Sequence, residues 1–349
     1  MTRERQGSGM RWCIPVAVLL GLSVQDAVSF AQGQGGAERL AAQRPTSGLD
    51  EHPDAGYFAA TGVVRFQMIQ GRLQLDSPRH RKGSQTRDEH GVFENITVTA
   101  QRGIPSLHYV YQTKNHHLTL SVKNATHVQI DSWFPKTGER ARLDQPASGP
   151  IRWQVENGEH RSEFTAPTLL HVRLQDAVDF DRHVARLVRL VLRGRSLRAI
   201  CNQTRVAVQK MLNEADLDLS DSVTVLDVHE CVDRLQSGKR AVRRDAELQL
   251  LRWGTPIVPI VNAISAADLD AEQSSRLNIV LKRLKRNQDD TAASLATMLM
   301  NDQSFWQCIG PKLNQQETTQ ANRYLGRIGL AALRLEAIAK DERPQTSKR

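Results

Sequence analysis

Residues 107–130 read LHYVYQTKNHHLTLSVKNATHVQI, and this stretch decides the first half of the fold. Its large apolar side chains stand two residues apart in three runs, namely Leu107, Tyr109 and Tyr111, then Leu118, Leu120 and Val122, then Val128 and Ile130. Successive side chains of a strand point to opposite faces, so this spacing predicts strands with one buried and one wet face. Polar turns at 114–115 and 123–125 separate the runs and predict antiparallel hairpins.

The same alternation extends to both sides of this stretch. It begins after Thr61 and continues through strands predicted at 151–155, 160–165 and 168–174. Residues 76–91 carry no large apolar side chain, which predicts a long exposed loop. Seven or eight short strands in sequence indicate an antiparallel β-sandwich-like domain over residues 61–178.

At Asp179 the apolar period becomes helical, which predicts an α-helical domain over residues 179–340 and a disordered tail at 341–349. Asp179 or Asp181 is the expected first N-cap. Asn314 with Glu317 predicts a capping box on a helix that ends at Gly329. The predicted fold class is therefore α+β multidomain, with the β-sandwich-like domain followed by an α-helical repeat-like domain.

One helical segment carries a known pattern. Residues 242–264 read VRRDAELQLLRWGTPIVPIVNAI, with Gly254 at the end of one helix and Pro256 at the start of the next. This segment resembles a HEAT-type repeat, and residues 271–284 resemble the first helix of a following repeat. The resemblance covers residues 242–284 and implies amphipathic helix pairs that bury a face only against neighbouring pairs.

The amino terminus predicts export. Arg3, Arg5 and Arg11 precede a short apolar run at residues 13–22, and a small-x-small site ends at Ala31. This order is typical of a cleavable signal peptide over residues 1–31, followed here by a flexible linker over residues 32–60. The expected location is periplasmic or secreted, with no transmembrane segment after cleavage.

Positive charge is concentrated in the second half. Residues 32–179 hold 17 Lys and Arg against 16 Asp and Glu, whereas residues 180–349 hold 27 against 20. Within this half, four arginines three or four residues apart project from one helix face, and they are Arg182, Arg186, Arg189 and Arg193. We expect this face either to dock an anionic partner or to pair with acids of the β domain.

No pattern in the chain indicates a catalytic centre or a cofactor. His229 and Asp233 sit one turn apart beside Glu230, but a zinc-protease helix requires a second histidine at the latter position. His116, His117 and His127 lie on strand patterns, where surface histidines are the expectation. The sequence therefore predicts no catalytic, cofactor or metal-ligating residue.

Cysteine and aromatic residues add further expectations. Cys201, Cys231 and Cys308 are predicted to be buried and unpaired, although one disulfide among them stays open. Trp133, on a strand pattern, is expected in the core with the other strand aromatics.

The sequence thus favours an exported, non-enzymatic interaction or scaffold protein of the cell envelope. Its helical domain would bind an acidic protein or another anionic envelope component, and peripheral membrane contact stays open. Nucleic acid is not expected, because aromatic and basic residues do not interleave. The alternatives are a hydrolase with carboxylates between the domains, or a carbohydrate-binding β domain with an exposed aromatic row.

Overall fold

The computed structural model describes residues 66–76, 83–215, 223–285 and 289–334. The predicted signal peptide 1–31, linker 32–60 and tail 341–349 lie outside these residues. An antiparallel sheet of eight strands is followed by a helical region, which confirms the predicted order of β and α structure.

The strands follow one another as an antiparallel meander. They are β1 Phe66–Ile69, β2 Arg72–Leu75, β3 Gly83–Glu89, β4 Val92–Gln101, β5 Ile104–Gln112, β6 His117–Lys123, β7 His127–Trp133, β8 Arg140–Gln145, β9 Ile151–Asn157 and β10 His160–Ala166. β3 to β10 form one sheet in chain order, and β1 and β2 form a separate two-stranded sheet. The predicted sandwich is not confirmed, because these eight strands belong to a single sheet.

The alternating pattern sorts the two faces of this sheet. Leu120, Ile130, Leu143 and Trp153 lie on the inner face and are at most 1% exposed. The outer face carries the polar positions between them. Hydrophobic burial on one face therefore fixes the register of each strand, since a slip of one residue would exchange the faces.

Two predictions along the sheet are wrong. Residues 83–89 form the edge strand β3 instead of a loop, and their side chains are almost all exposed. A strand without a buried face has no alternation of apolar and polar residues. The sequence of β3 therefore gave no sign of the backbone pairing with β4 that makes it a strand. Residues 168–174 were expected as a strand but lie in a helix, which Thr168 caps and which buries three apolar side chains.

Eleven α-helices lie in the described part of the chain. They are α1 Leu169–Gln175, α2 Ala177–His183, α3 Ala185–Val191, α4 Leu197–Ala215, α5 Val225–Arg234, α6 Arg240–Trp253, α7 Ile257–Ala263, α8 Ala271–Leu284, α9 Ala292–Leu299, α10 Gln303–Ile309 and α11 Gln315–Ile328. Short 3-10 turns cover Ala266–Asp268 and Gly310–Lys312.

The helix ends test the predicted caps. Asn314 and Glu317 form the expected capping box on α11, and Gly329 ends that helix with a φ of 81°. The first cap is different, because Asp176 accepts a hydrogen bond from the Asp179 amide and starts α2. Asp181 is bonded to Arg173, so neither predicted acid is the cap.

The buried residues fall into two hydrophobic cores. The sheet shares one core with α1–α4 and with α9–α11. Helices α5–α8 enclose a second core that includes Val228, Leu250 and Leu277. The larger core groups α1–α4 with the sheet. The domain limits 61–178 and 179–340 stay predictions.

The β1–β2 hairpin is fastened to the helical region through its backbone. The amide of Gly71 donates to the Asp290 carboxylate at 2.7 Å, and the amide of Met68 donates to Asp289 at the same distance. The amide of Leu169 donates to the Gly71 carbonyl at 2.9 Å. These bonds hold the hairpin turn against the start of α1.

Candidate functional site

The predicted arginine register is present on α2, α3 and the turn that follows them. Arg182, Arg186, Arg189 and Arg193 are all exposed. The opposite side of the same helices buries apolar residues in the larger core, and these are Phe180, Val184, Leu187, Val188 and Val191. The helical spacing of the sequence is what separates these two sets of side chains.

The first two arginines are engaged with the sheet. The Arg182 guanidinium lies 2.5 Å from the Glu139 carboxylate, which is 10% exposed, and stacks 5.1 Å from the Phe134 ring centroid. Arg186 donates to the Tyr111 hydroxyl at 2.5 Å and lies 4.4 Å from the centroid of the same ring. Arg182 and Arg186 therefore attach α2 and α3 to the sheet.

The other two arginines are differently placed. Within the described residues, Arg189 and Arg193 have no carboxylate at ion-pair distance, and the same holds for Arg198 and Arg205 on α4. Arg195, between them in sequence, is instead bonded to Asp289 at 2.6 Å. Arg189, Arg193, Arg198 and Arg205 are exposed on α3, on the turn after it and on α4, and we refer to them together as the open arginine surface.

A sequence feature underlies the open arginine surface. Residues 182–213 contain seven arginines and one lysine but no aspartate or glutamate. Ion pairs along a helix join residues that are three or four positions apart. A cation of this segment therefore has no acidic residue to pair with when those positions also lie inside the segment. Arg198 and Arg205 were missing from the predicted set of four arginines. Their spacing of seven residues places them on the same side of α4, and this spacing is the signal that marks them.

A buried polar cluster lies where α2 and α3 meet the sheet. The Ser132 hydroxyl is hydrogen-bonded to His116 Nε2 at 2.8 Å and to His183 Nδ1 at 2.9 Å. The hydroxyl of Tyr109 donates to Glu94 at 2.9 Å. Contrary to the expected surface position, His116 is turned inward and stacks on Phe134 with ring centroids 4.4 Å apart.

Burial keeps both histidines of the cluster neutral. It lowers the pKa of His116 to about 4, helped by the nearby His183 and Arg186. It lowers the pKa of His183 to about 4 as well, helped by Arg182. Ser132 is only 2% exposed. A serine sealed between two neutral histidines fits a role in holding the helices on the sheet.

A cavity of about 20 Å³ adjoins this cluster, lined by Glu94, Tyr109, Tyr111, His116, Leu118, Arg186, Leu187 and Leu190. This volume is enough for one water molecule. A cavity of that size has no room for an organic substrate.

The outer face of β6–β10 carries an open depression of about 610 Å³. Trp133 lies in it and is only partly buried, so its expected core position is wrong. The Arg140 guanidinium lies 5.4 Å from the Trp133 ring centroid, and the His117 ring meets the indole edge-on at 5.0 Å. The depression therefore combines one accessible aromatic ring with charged side chains.

Asp289 and Asp290, whose carboxylates bind the backbone of the β1–β2 hairpin, are relevant to the predicted hydrolase alternative. Burial raises the pKa of Asp290 to about 6, and the neighbouring Asp289 adds to this effect. However, both carboxylates accept hydrogen bonds from backbone amides, and Asp289 also binds Arg195. These bonds give both carboxylates a structural role.

The remaining candidates from the sequence are separated in space. His229 and Asp233 are exposed on α5, and His127 is bonded to Asp144 at 2.9 Å. Within the described ranges, no group of three His, Cys, Asp or Glu residues is placed to hold a metal ion. Cys201, Cys231 and Cys308 are free, and burial raises the pKa of each thiol.

Two further findings concern membranes and relatives. In the part of the chain that the structure describes, no helix combines the length and the apolar character that a bilayer span requires. No protein-family model matches this chain, and neither a curated protein nor a solved structure shows significant similarity to it.

Proposed function

We propose that this protein is a non-enzymatic binding protein of the cell envelope that docks an acidic partner protein through the open arginine surface. The observation that carries the proposal is the set of four exposed arginines without a carboxylate partner among the described residues. Arg182 and Arg186, which the sequence pattern included, serve as anchors to the sheet. Arg189 and Arg193 keep the predicted docking role and are joined by Arg198 and Arg205.

The chemistry of arginine suits such a partner. A guanidinium presents a planar fork of donors that matches a carboxylate in a bidentate contact. Val206 is adjacent in sequence to Arg205 and is 66% exposed, so the surface offers apolar area together with charge. Arginine beside apolar contact area is typical of protein–protein interfaces, where lysine is depleted.

Unpaired charges of one sign also favour rapid association. A cluster of arginines attracts an acidic surface over roughly 10 Å at moderate ionic strength and accelerates encounter. Exposed charge contacts are screened by salt, so binding through this surface decreases as ionic strength rises.

The location in the envelope depends on export, which residues 1–31 predict. We propose that cleavage follows Ala31 and releases a mature chain that begins at Gln32. The amino-terminal sequence of the protein recovered from the periplasm or the medium tests this cleavage. A chain that retains residues 1–31 in the cytoplasm would contradict it.

We infer further that residues 242–284 are a HEAT-type repeat segment. Gly254, with a φ of 76°, follows α6, and Pro256 precedes α7. Ala246 of α6 and Ile257 of α7 are fully buried in the same core. The positions of Gly254 and Pro256 and the shared core support the resemblance of residues 242–284 to that repeat, and a homologue in which the same helix and turn pattern recurs in tandem would test it.

Capture from an envelope extract tests the docking proposal. The tagged mature protein, the double variant Arg189→Glu/Arg193→Glu and the control Arg244→Glu/Arg252→Glu carry the same tag. The control has the same net charge as the double variant and changes exposed arginines of α6. An acidic protein captured by the wild type and the control, but neither by the double variant nor at high salt, supports the proposal.

A second arm distinguishes a membrane from a protein. The three proteins are mixed with vesicles of phosphatidylglycerol and phosphatidylcholine and sedimented. Binding to these vesicles without capture of a protein would overturn the proposal in favour of a peripheral membrane role. Equal capture of the same protein by the double variant and the control would also overturn it.

A further inference from the structure

The outer face of the sheet has a second surface with its own chemistry. Two adjacent cross-strand rows cross the depression. The first row runs through His117, Trp133, Arg140, Glu156 and Arg161, and the second runs through Thr119, Asp131, Arg142 and Gln154. Both rows stand on paired strands, which hold side chains more rigidly than loops do.

The charges in this depression nearly cancel. Three arginines and two carboxylates line it, and they are Arg140, Arg142, Arg161, Asp131 and Glu156. An anionic ligand would meet both carboxylates, and a cationic ligand would meet three guanidinium groups. A neutral ligand whose groups both donate and accept hydrogen bonds matches the two kinds of side chain at once.

The ion pairs on this face are wide. Arg142 lies 3.6 Å from Asp131, and Arg161 lies 3.7 Å from Glu156. By contrast, the Arg182–Glu139 pair that anchors α2 measures 2.5 Å. A separation above 3.5 Å exceeds hydrogen-bond distance, so these guanidinium and carboxylate groups can still form hydrogen bonds with a ligand. Their opposite charges nevertheless keep the two groups of each pair close together.

Trp133 adds an apolar surface to this polar floor. It is the partly buried aromatic ring of the depression, and Arg140 covers it from one side. A cation stacked on an exposed ring contributes only about 0.5–1 kcal/mol, so a ligand that packs on the indole can displace it. Sugar rings combine an apolar C–H face with vicinal hydroxyl groups that donate and accept.

We propose that this depression is a binding site for a short neutral oligosaccharide. The sugar ring packs on Trp133, and its hydroxyls bond to Asp131, Arg142 and Gln154. The volume of about 610 Å³ lies within the usual range for ligand sites. This site is separate from the open arginine surface and does not depend on the docking proposal.

Isothermal titration calorimetry of the mature protein tests the site with cellohexaose, maltohexaose and fully N-acetylated chitohexaose, and with an oligogalacturonate as the anionic comparison. We expect at least one neutral hexasaccharide to bind and the oligogalacturonate to bind more weakly. Trp133→Ala should weaken binding by about tenfold or more, as the loss of a central aromatic anchor does. The matched control is Phe93→Ala, which removes a partly buried aromatic side chain from the outer face of β4, outside the depression.

Asp131→Asn provides a second test that preserves shape. It removes the charge opposite Arg142 and should weaken hexasaccharide binding several-fold while the far-UV circular dichroism stays unchanged. The site would be refuted if none of the three hexasaccharides binds at millimolar concentration. It would also be refuted if Trp133→Ala binds as the wild type does. Arg189→Glu/Arg193→Glu should leave saccharide binding unaltered, which separates this result from the docking test.

Discussion

Replacement of Gly71 by alanine should destabilise the protein in two separable ways. Gly71 follows Gln70 in the β1–β2 turn, and both have positive φ values, 52° and 71°. This pair of angles defines the two-residue hairpin turn that favours glycine. A Cβ at this position would lie 2.7 Å from Thr168 Cβ and 2.9 Å from its Cγ2.

The structure also contains a matched control for this change. His90 and Gly91 form the β3–β4 turn with φ values of 53° and 75°, but a Cβ on Gly91 would meet nothing within 4 Å. Gly91→Ala therefore carries only the left-handed backbone cost of roughly 1–2 kcal/mol. Gly71→Ala adds overpacking of about 1–3 kcal/mol against the cap of α1.

Urea unfolding of the two variants, followed by far-UV circular dichroism, measures the difference. We expect Gly71→Ala to lower the free energy of unfolding by about 1–3 kcal/mol more than Gly91→Ala, with similar m-values. Thr168→Ser keeps the cap hydroxyl but removes Cγ2, so it should recover part of the loss in the double variant. Equal losses in the two alanine variants would refute the close packing of this turn against α1.

Three further predictions follow from buried or paired charges. The pKa of His183 is about 4 in the folded protein, so its contribution to stability is full above the unfolded value of 6.5 and is lost as pH falls towards 4. His183→Asn should therefore reduce the acid-induced loss by about 2–3 kcal/mol in urea titrations between pH 7 and 4, and an unchanged pH profile would contradict this. The pKa of Asp290 is raised to about 6, so its stabilising contribution is present below about pH 4 and lost as pH rises through 6. Between pH 4 and 7 this carboxylate opposes the rise in stability that the two buried histidines produce, so Asp290→Asn should make stability rise more steeply with pH. An unchanged or flatter profile would argue against the burial of this carboxylate. Arg182→Ala should lower the free energy of unfolding by about 1–2 kcal/mol because it removes the partner of the nearly buried Glu139. Arg189→Ala should change it by no more than about 0.5 kcal/mol. Thermal unfolding compares the two variants, and equal effects would contradict the division between anchoring and open arginines.

The sequence pattern was sufficient wherever burial differs between adjacent residues. Leu118, Leu120 and Val122 alternate with polar side chains because one face of β6 lies on the core. The same parity places Trp133 on the outer face, since Val128 and Ile130 of that strand point inward. The expectation of a core position followed the residue type and overlooked this parity.

Other features depend on partners that are distant in sequence. Arg182 pairs with Glu139 and Arg186 contacts Tyr111, and neither neighbour is visible from helical spacing alone. The strand β3 is polar throughout and owes its conformation to pairing with β4. The spacing of apolar residues in a sequence reflects which side chains are buried. It therefore reveals neither an exposed edge strand nor which arginines bind the sheet and which stay open.

The two proposed surfaces divide the protein by charge. The outer face of the sheet balances its charges within one depression, whereas residues 182–213 carry cations without acids. A protein with both surfaces would hold a neutral glycan on its sheet and an acidic partner on its helices. This arrangement suits a scaffold that links an envelope polysaccharide to a protein.

The most direct test of the central claim is the dissociation constant of the captured acidic protein for three forms of the mature chain at low salt. The account predicts a loss of about tenfold or more for Arg189→Glu/Arg193→Glu and little change for the equally charged Arg244→Glu/Arg252→Glu. Equal affinities of these two variants would contradict docking through the open arginine surface.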